Sequence, residues 1–113
     1  MSELSIDYTP KQVAELAAQG GVQLIDVRMQ HEFAAGRVAG SRLIELPALA
    51  SEAQSIAREQ PVILICRSGG RSQMATAALR EAGYDAHNME GGMLAWEAAG
   101  LELEPADGFI AAP

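Results

Sequence analysis

The chain has 113 residues, about half of them apolar, with 15 acidic against 8 basic side chains and a formal charge of −7; that is enough for one packed domain and too little for two. The acidic excess repels phosphate backbones and anionic lipid, which argues against nucleic acid and membrane as partners. No apolar stretch approaches the ~20 residues of a membrane span, the first residues lack the basic-then-apolar profile of a secretory signal, and the single cysteine forms no internal disulfide, so a reducing cytoplasm is the expected setting.

Short apolar runs alternate with helical patterns along the chain. A brief strand is expected at residues 4–6. Thr9 then reads as a helix N-cap, with Pro10 at the first helical position and Gln12 completing a capping box. Val13, Leu16 and Ala17 form the apolar stripe, and Gly20 and Gly21 end the helix. Residues 22–27 are apolar at nearly every position, the mark of a strand buried on both faces. Residues 29–35 read as a short helical turn closed by Gly36, residues 43–46 as a third strand, and residues 47–59 as a helix through Leu49, Ala53 and Ile56. A strand at 62–66 ends on Cys66. A helix follows at 71–82, then a strand at 86–89 and a helix at 93–99. Buried strands alternating with helices predict a parallel sheet covered on both sides.

Cys66 falls where a buried strand gives way to a helix, within the run Cys66, Arg67, Ser68, Gly69, Gly70, Arg71, Ser72. In open parallel sheets ligands bind beyond the carboxyl ends of the strands. Gly69 and Gly70 allow a tight turn that aims several backbone N–H groups at one point, and the helix that follows adds its positive end. Such a nest favours thiolate over thiol. Arg67 and Arg71 add fixed charge, and a guanidinium at Arg71 suits an oxyanion of a substrate. A lone cysteine ending an apolar strand is more often a small core residue; the glycines, arginines and serines that follow reverse that reading, and a structural turn or a non-catalytic anion loop stands as the alternative.

These motifs resemble the rhodanese family. Leu24, Ile25, Asp26, Val27 and Arg28, with Glu32, Phe33, Gly36 and Gly40 after them, resemble its first motif; Cys66 to Arg71 resembles its active-site loop; and Gly83, Tyr84, Glu90, Gly91, Gly92 and Trp96 resemble its closing motif. The likeness runs over residues 4–104. It implies a three-layer α/β/α domain at 1–104 with a five-stranded parallel sheet (rhodanese-like). It also implies a sulfurtransferase: the Cys66 thiolate takes the outer sulfur of thiosulfate or a similar donor, sulfite leaves, and the persulfide passes its sulfur to cyanide or a thiol. The expected acceptors include a sulfur-accepting protein, thioredoxin-like or other, and no cofactor is implied. Cys66 is then the catalytic residue, with Arg67, Ser68, Gly69, Gly70, Arg71 and Ser72 binding substrate. Two other readings remain: a sulfur-relay or regulatory persulfide-binding domain with little activity on thiosulfate, and a phosphatase or arsenate reductase of the same fold. The phosphatases of this fold have a loop one residue longer, so the four residues between Cys66 and Arg71 favour sulfur. Arg37 stands where the family often has histidine, and Leu43 and Glu45 replace an asparagine and a proline.

Asp26 and Arg28 are supporting candidates at the same rim; a structural ion pair, with Arg28 reaching Glu32, is the favoured reading. Gly91 and Gly92 serve either a plain turn or a close backbone approach to the pocket. Trp96 reads as core. His31 and His87 stand apart from any ligand pattern, so no metal is expected. Residues 105–113 form a tail that is either loose or docked through Phe109 and Ile110.

Overall fold

A computed structural model describes residues 6–113. Five parallel strands form one sheet: β1 (Asp7–Tyr8), β2 (Gln23–Asp26), β3 (Arg42–Leu43), β4 (Val62–Ile65) and β5 (Ala86–Met89). Their order is β1-β5-β4-β2-β3, which puts β4 in the middle. Helices α1 (Pro10–Gln19), α2 (Gln30–Ala35), α3 (Leu49–Glu52), α4 (Gly70–Glu81) and α5 (Gly92–Ala98) complete a three-layer α/β/α domain.

Strand β4 explains the layering. All four of its residues are buried, and they alternate between two apolar clusters. Val62 and Leu64 face Leu49, Ala75 and Leu79 of α3 and α4, and Cys66 continues that face. Ile63 and Ile65 face Val13, Met93 and Trp96 of α1 and α5. The period-2 geometry of a strand thus sends apolar side chains to both faces, and each helical layer covers one. Trp96 lies in the core as expected, its indole N–H donating to Glu102 O at 2.8 Å.

The capping box at Thr9 and Gln12 forms, with Gln12 N–H donating to Thr9 Oγ1 and Thr9 N–H to Gln12 Oε1. Three expected elements differ. The strand expected at 4–6 falls outside the described residues except for Ile6, and the described edge strand is Asp7–Tyr8. The third strand is Arg42–Leu43, although Ile44 and Leu46 still donate to Asp26 O and Val27 O. The helix expected over 47–59 is one short α-helical segment between two 3-10 turns, Leu46–Ala48 and Ala53–Ser55. Its continuation is prevented by Gln23: the amide of that side chain accepts the Ala57 N–H at 2.9 Å and donates to Ala57 O at 2.8 Å. Both backbone groups that a longer helix would use are taken, and Ile56 turns into the core in an extended conformation.

Residues 105–113 dock. Phe109 N–H donates to Ala35 O, Ile110 packs on the α1/α5 cluster, and Arg67 Nε and His31 Nε2 reach Ala111 O and Ala112 O. Phe109 itself is exposed.

Candidate active site

Cys66 follows the last residue of β4 at the carboxyl edge of the sheet. Gly69 closes the turn with φ of 110°, a left-handed conformation that a side chain would oppose, and α4 begins at Gly70. This turn brings the Gly69 N–H to 3.0 Å from Cys66 Sγ. Ser72, on the first turn of α4, places its hydroxyl 3.3 Å from the same sulfur. Cys66, Gly69 and Ser72 are buried, whereas Ser68 and Gly70 form the exposed tip of the loop. The first N–H groups of α4 have no partner within the helix and add to the positive field here.

The loop's carbonyls are drawn the other way. Met93 N–H donates to Cys66 O at 2.8 Å and Leu94 N–H to Arg67 O at 3.0 Å, so the start of α5 satisfies them. The approach is close enough that a Cβ on Gly92, at φ of 61°, would lie 2.4 Å from Cys66 O. Of the two readings of Gly91 and Gly92, the close approach is the one formed at Gly92.

The arginines are held rather than loose. Arg71 donates through both terminal nitrogens to the two carboxylate oxygens of Glu32, at 2.8 and 2.9 Å. Glu32 is fully buried, and its Oε1 also accepts the Met29 N–H that opens α2. Burial raises the Glu32 pKa, but the bonds from Arg71 and Met29 and the charges of Arg71 and Arg28 outweigh it and hold the carboxyl below its ordinary range. Arg71 is raised correspondingly, first by its bond to Glu32, with the charges of Cys66 and Asp26 contributing. Arg67 is half-buried, and its Nε donates to Ala111 O at 3.1 Å.

The expected pairing of Arg28 with Glu32 is not the one formed. Arg28 folds back on Asp26 two residues away, through Nε at 2.9 Å and Nη2 at 2.8 Å, and also donates to Gly36 O. Both side chains are fully buried, so this pair braces the end of β2 against the turn after α2. Glu32 is thereby left for Arg71. Sequence reasoning missed that partner, and it missed Asn88, whose Oδ1 meets the Ser72 hydroxyl. An amide between Ala86 and Met89 in a strand buried along its whole length was the available signal for Asn88; for Glu32 it was an acid at the third helical position of α2. Among the described residues no group of three or more His, Cys, Asp or Glu side chains comes together to hold a metal, and no helix is long and apolar enough to cross a membrane.

The fold and the site define the class of three-layer α/β domains with a cysteine in a short strand-to-helix turn at the carboxyl edge of a parallel sheet. Within that class this chain belongs to the rhodanese family: the model of the rhodanese-like domain matches residues 9–99. A relative from Pseudomonas aeruginosa named thiosulfate sulfurtransferase GlpE is 31% identical over 108 residues, 95% of this chain and 94% of that protein. A rhodanese-related protein from Thermoplasma volcanium superposes with a TM-score of 0.81 at 25% identity, covering 86% of this chain and 95% of the other. A rhodanese-like domain protein from Staphylococcus aureus gives 0.75 at 30% identity, covering 80% and 89%. The chain is thus a rhodanese-type protein whose curated relatives are named sulfurtransferases.

Proposed function

We propose that this protein moves a sulfane sulfur from thiosulfate or a similar anionic donor to cyanide or a thiol through a persulfide on Cys66. The observation that carries this reading is the geometry at Cys66 Sγ, which accepts a backbone N–H at 3.0 Å and faces a hydroxyl at 3.3 Å in a loop with only four residues before Arg71. The Cys66 thiolate attacks the outer sulfur of thiosulfate. A Cys66–sulfur bond forms, the bond to the sulfonate sulfur breaks, and its electron pair leaves with sulfite. The acceptor then attacks the outer sulfur of the persulfide, the S–S bond breaks, and the thiolate returns. Donor, leaving group and persulfide are all anions, so one set of N–H and O–H donors serves each state without a general acid.

Ser68, Gly69 and Gly70 supply the backbone of the nest, Ser72 a hydroxyl, and Arg67 and Arg71 positive charge. Arg71 does this while clamped to Glu32, so its part is to fix the charge beside the sulfur more than to wrap the donor. Asp26 and Arg28 brace the rim. A cytoplasmic thiol or a sulfur-accepting protein, thioredoxin-like or other, is the proposed acceptor, since a lone reactive thiol persists best in a reducing compartment.

Intact mass after incubation with thiosulfate tests this. A gain of one sulfur atom, absent in Cys66→Ala, is expected. No gain, with turnover of an aryl phosphate, would replace the reading with a phosphatase; no gain with either compound would replace it with a relay or regulatory domain.

A further inference from the structure

The hydroxyl of Ser72 carries one proton and has three acceptors within reach. Asn88 Oδ1 lies at 2.5 Å, Gly69 O at 3.2 Å and Cys66 Sγ at 3.3 Å. Ser72 and Asn88 are both buried, so the choice is made within the protein. The nearest acceptor is on β5, not on the loop. Asn88 is itself oriented from behind: its Nδ2 faces Asp7 Oδ1 of β1 at 3.4 Å. Turning the amide over to offer an N–H to Ser72 would set two oxygens face to face at Asp7. The turn that carries Ser72 is fixed as well, because Thr76 Oγ1 donates to Ser72 O at 2.7 Å.

We propose that Asn88 is a positioning residue that acts on the sulfur through Ser72, by holding the Ser72 proton away from Cys66 in the resting site. With that proton directed to Asn88, a lone pair of Ser72 Oγ is left to accept the Cys66 S–H. When Cys66 loses its proton to solvent, the Ser72 O–H must leave Asn88 to reach the thiolate. Asn88 therefore competes with the anionic sulfur for one hydrogen bond. It sets how readily the thiol ionises, and among the described residues it leaves the Gly69 N–H as the donor that stays on the sulfur throughout. The proposal rests on Cys66 being the reactive thiol, and it adds a residue from a strand that no loop motif includes.

The test is the alkaline midpoint of Cys66 alkylation by iodoacetamide, followed by mass. The charged groups around the pocket are Arg67 of the loop, Arg71 of α4, Glu32 of α2, Asp26 at the end of β2 with Arg28 just beyond it, and Asp7 of β1; the variants leave all of them in place. Asn88→Leu removes the competitor and frees the hydroxyl for the thiolate, so the midpoint should fall by about one pH unit, the scale of one hydrogen bond to an anion. Ser72→Ala removes the donor, and its midpoint should rise. In the Ser72→Ala background, Asn88→Leu should have no further effect. Asn88→Ala repeats the measurement if leucine is not tolerated in the strand. An unchanged midpoint in the Asn88 variants, or a shift that persists without Ser72, overturns the proposal. Sulfur uptake from thiosulfate is measured in parallel on the parent protein: its absence there would remove the sulfur-transfer reading, whereas the midpoints alone decide the role of Asn88.

Discussion

Replacing Glu32 with glutamine probes the contact that joins α2 to the active-site helix. The carboxylate is fully buried and meets Arg71 through two parallel bonds of 2.8 and 2.9 Å, with a third bond from Met29. Breaking a fully buried ion pair by removing one partner costs about 3–5 kcal/mol. Two features reduce that here. Glutamine keeps one acceptor oxygen, and the Arg71 side chain is 27% exposed, so water recovers part of the loss. A cost of about 2–3 kcal/mol is expected, which for a domain of this size is a fall of roughly 10–15 °C in melting temperature.

The pH dependence carries the sharper information. Glu32 lies below its ordinary value of 4.5 in the folded protein. The unfolded chain therefore binds more protons in the interval between the folded value and 4.5. Stability from this group is fully present above 4.5 and is lost as the pH falls through the folded value. Urea unfolding from pH 7 to pH 3 should show a constant gap between parent and Glu32→Gln down to about pH 5, then a narrowing gap as only the parent loses its pair. Equal stability of the two at pH 7, or a gap that stays constant to pH 3, would refute the assignment of Arg71 to a buried, ionised Glu32.

Three further outcomes follow from the same contacts. Arg28→Ala leaves Asp26 buried without its partner and should lower stability by about 3–5 kcal/mol in urea unfolding, more than Glu32→Gln because neither Asp26 nor Arg28 reaches solvent. Gly92→Ala combines a disfavoured φ with a Cβ at 2.4 Å from Cys66 O; a loss of roughly 2–5 kcal/mol is expected, together with slower persulfide formation measured by mass at a temperature where the variant is folded. Arg67→Gln should reduce kcat/KM for thiosulfate while leaving kcat near the parent value, and should flatten the dependence of kcat/KM on salt, because a partly exposed charge acts on a dianion through a screened field.

The parts of the fold that could be read from the sequence are those written in local patterns. The apolar run before Cys66 marks the central strand, and Thr9, Pro10 and Gln12 mark the start of α1. Gly69 and Gly70 mark a strand-to-helix turn whose conformation the backbone then adopts. The contacts that escaped tie a polar side chain to a group far away in the chain: Gln23 to the backbone of Ala57, Arg71 to the Glu32 carboxylate across 39 residues, and Arg67 to the Ala111 carbonyl across 44. Periodicity records which face of an element is buried, but not which polar group waits on the other side of the space. That is why the helix expected over 47–59 ends early, and why spacing points Arg28 to the carboxylate that Arg71 takes. The Asp26–Arg28 pair is the instructive case. The four-residue spacing of Arg28 and Glu32 is that of a helical pair, but the chain at Arg28 has already left β2 and folds its guanidinium back over Asp26.

These pairings also bear on how a chain of charge −7 handles anions. Arg71 is largely compensated by Glu32, so it contributes less net attraction at the sulfur than its place in the loop suggests. The backbone makes up the difference. Met93 and Leu94 draw the Cys66 and Arg67 carbonyls away from the pocket, while the Gly69 N–H faces Sγ. That dipole is fixed and buried, and unlike surface charges it is little weakened by salt. In the sulfur transfer proposed above, the work would be divided: Arg67 at the rim would govern how fast a donor arrives, and the turn at Gly69 how well its charge is held once the sulfur has moved. The Glu32–Arg71 clamp contributes rigidity to that turn, since it ties the first turn of α4 to α2.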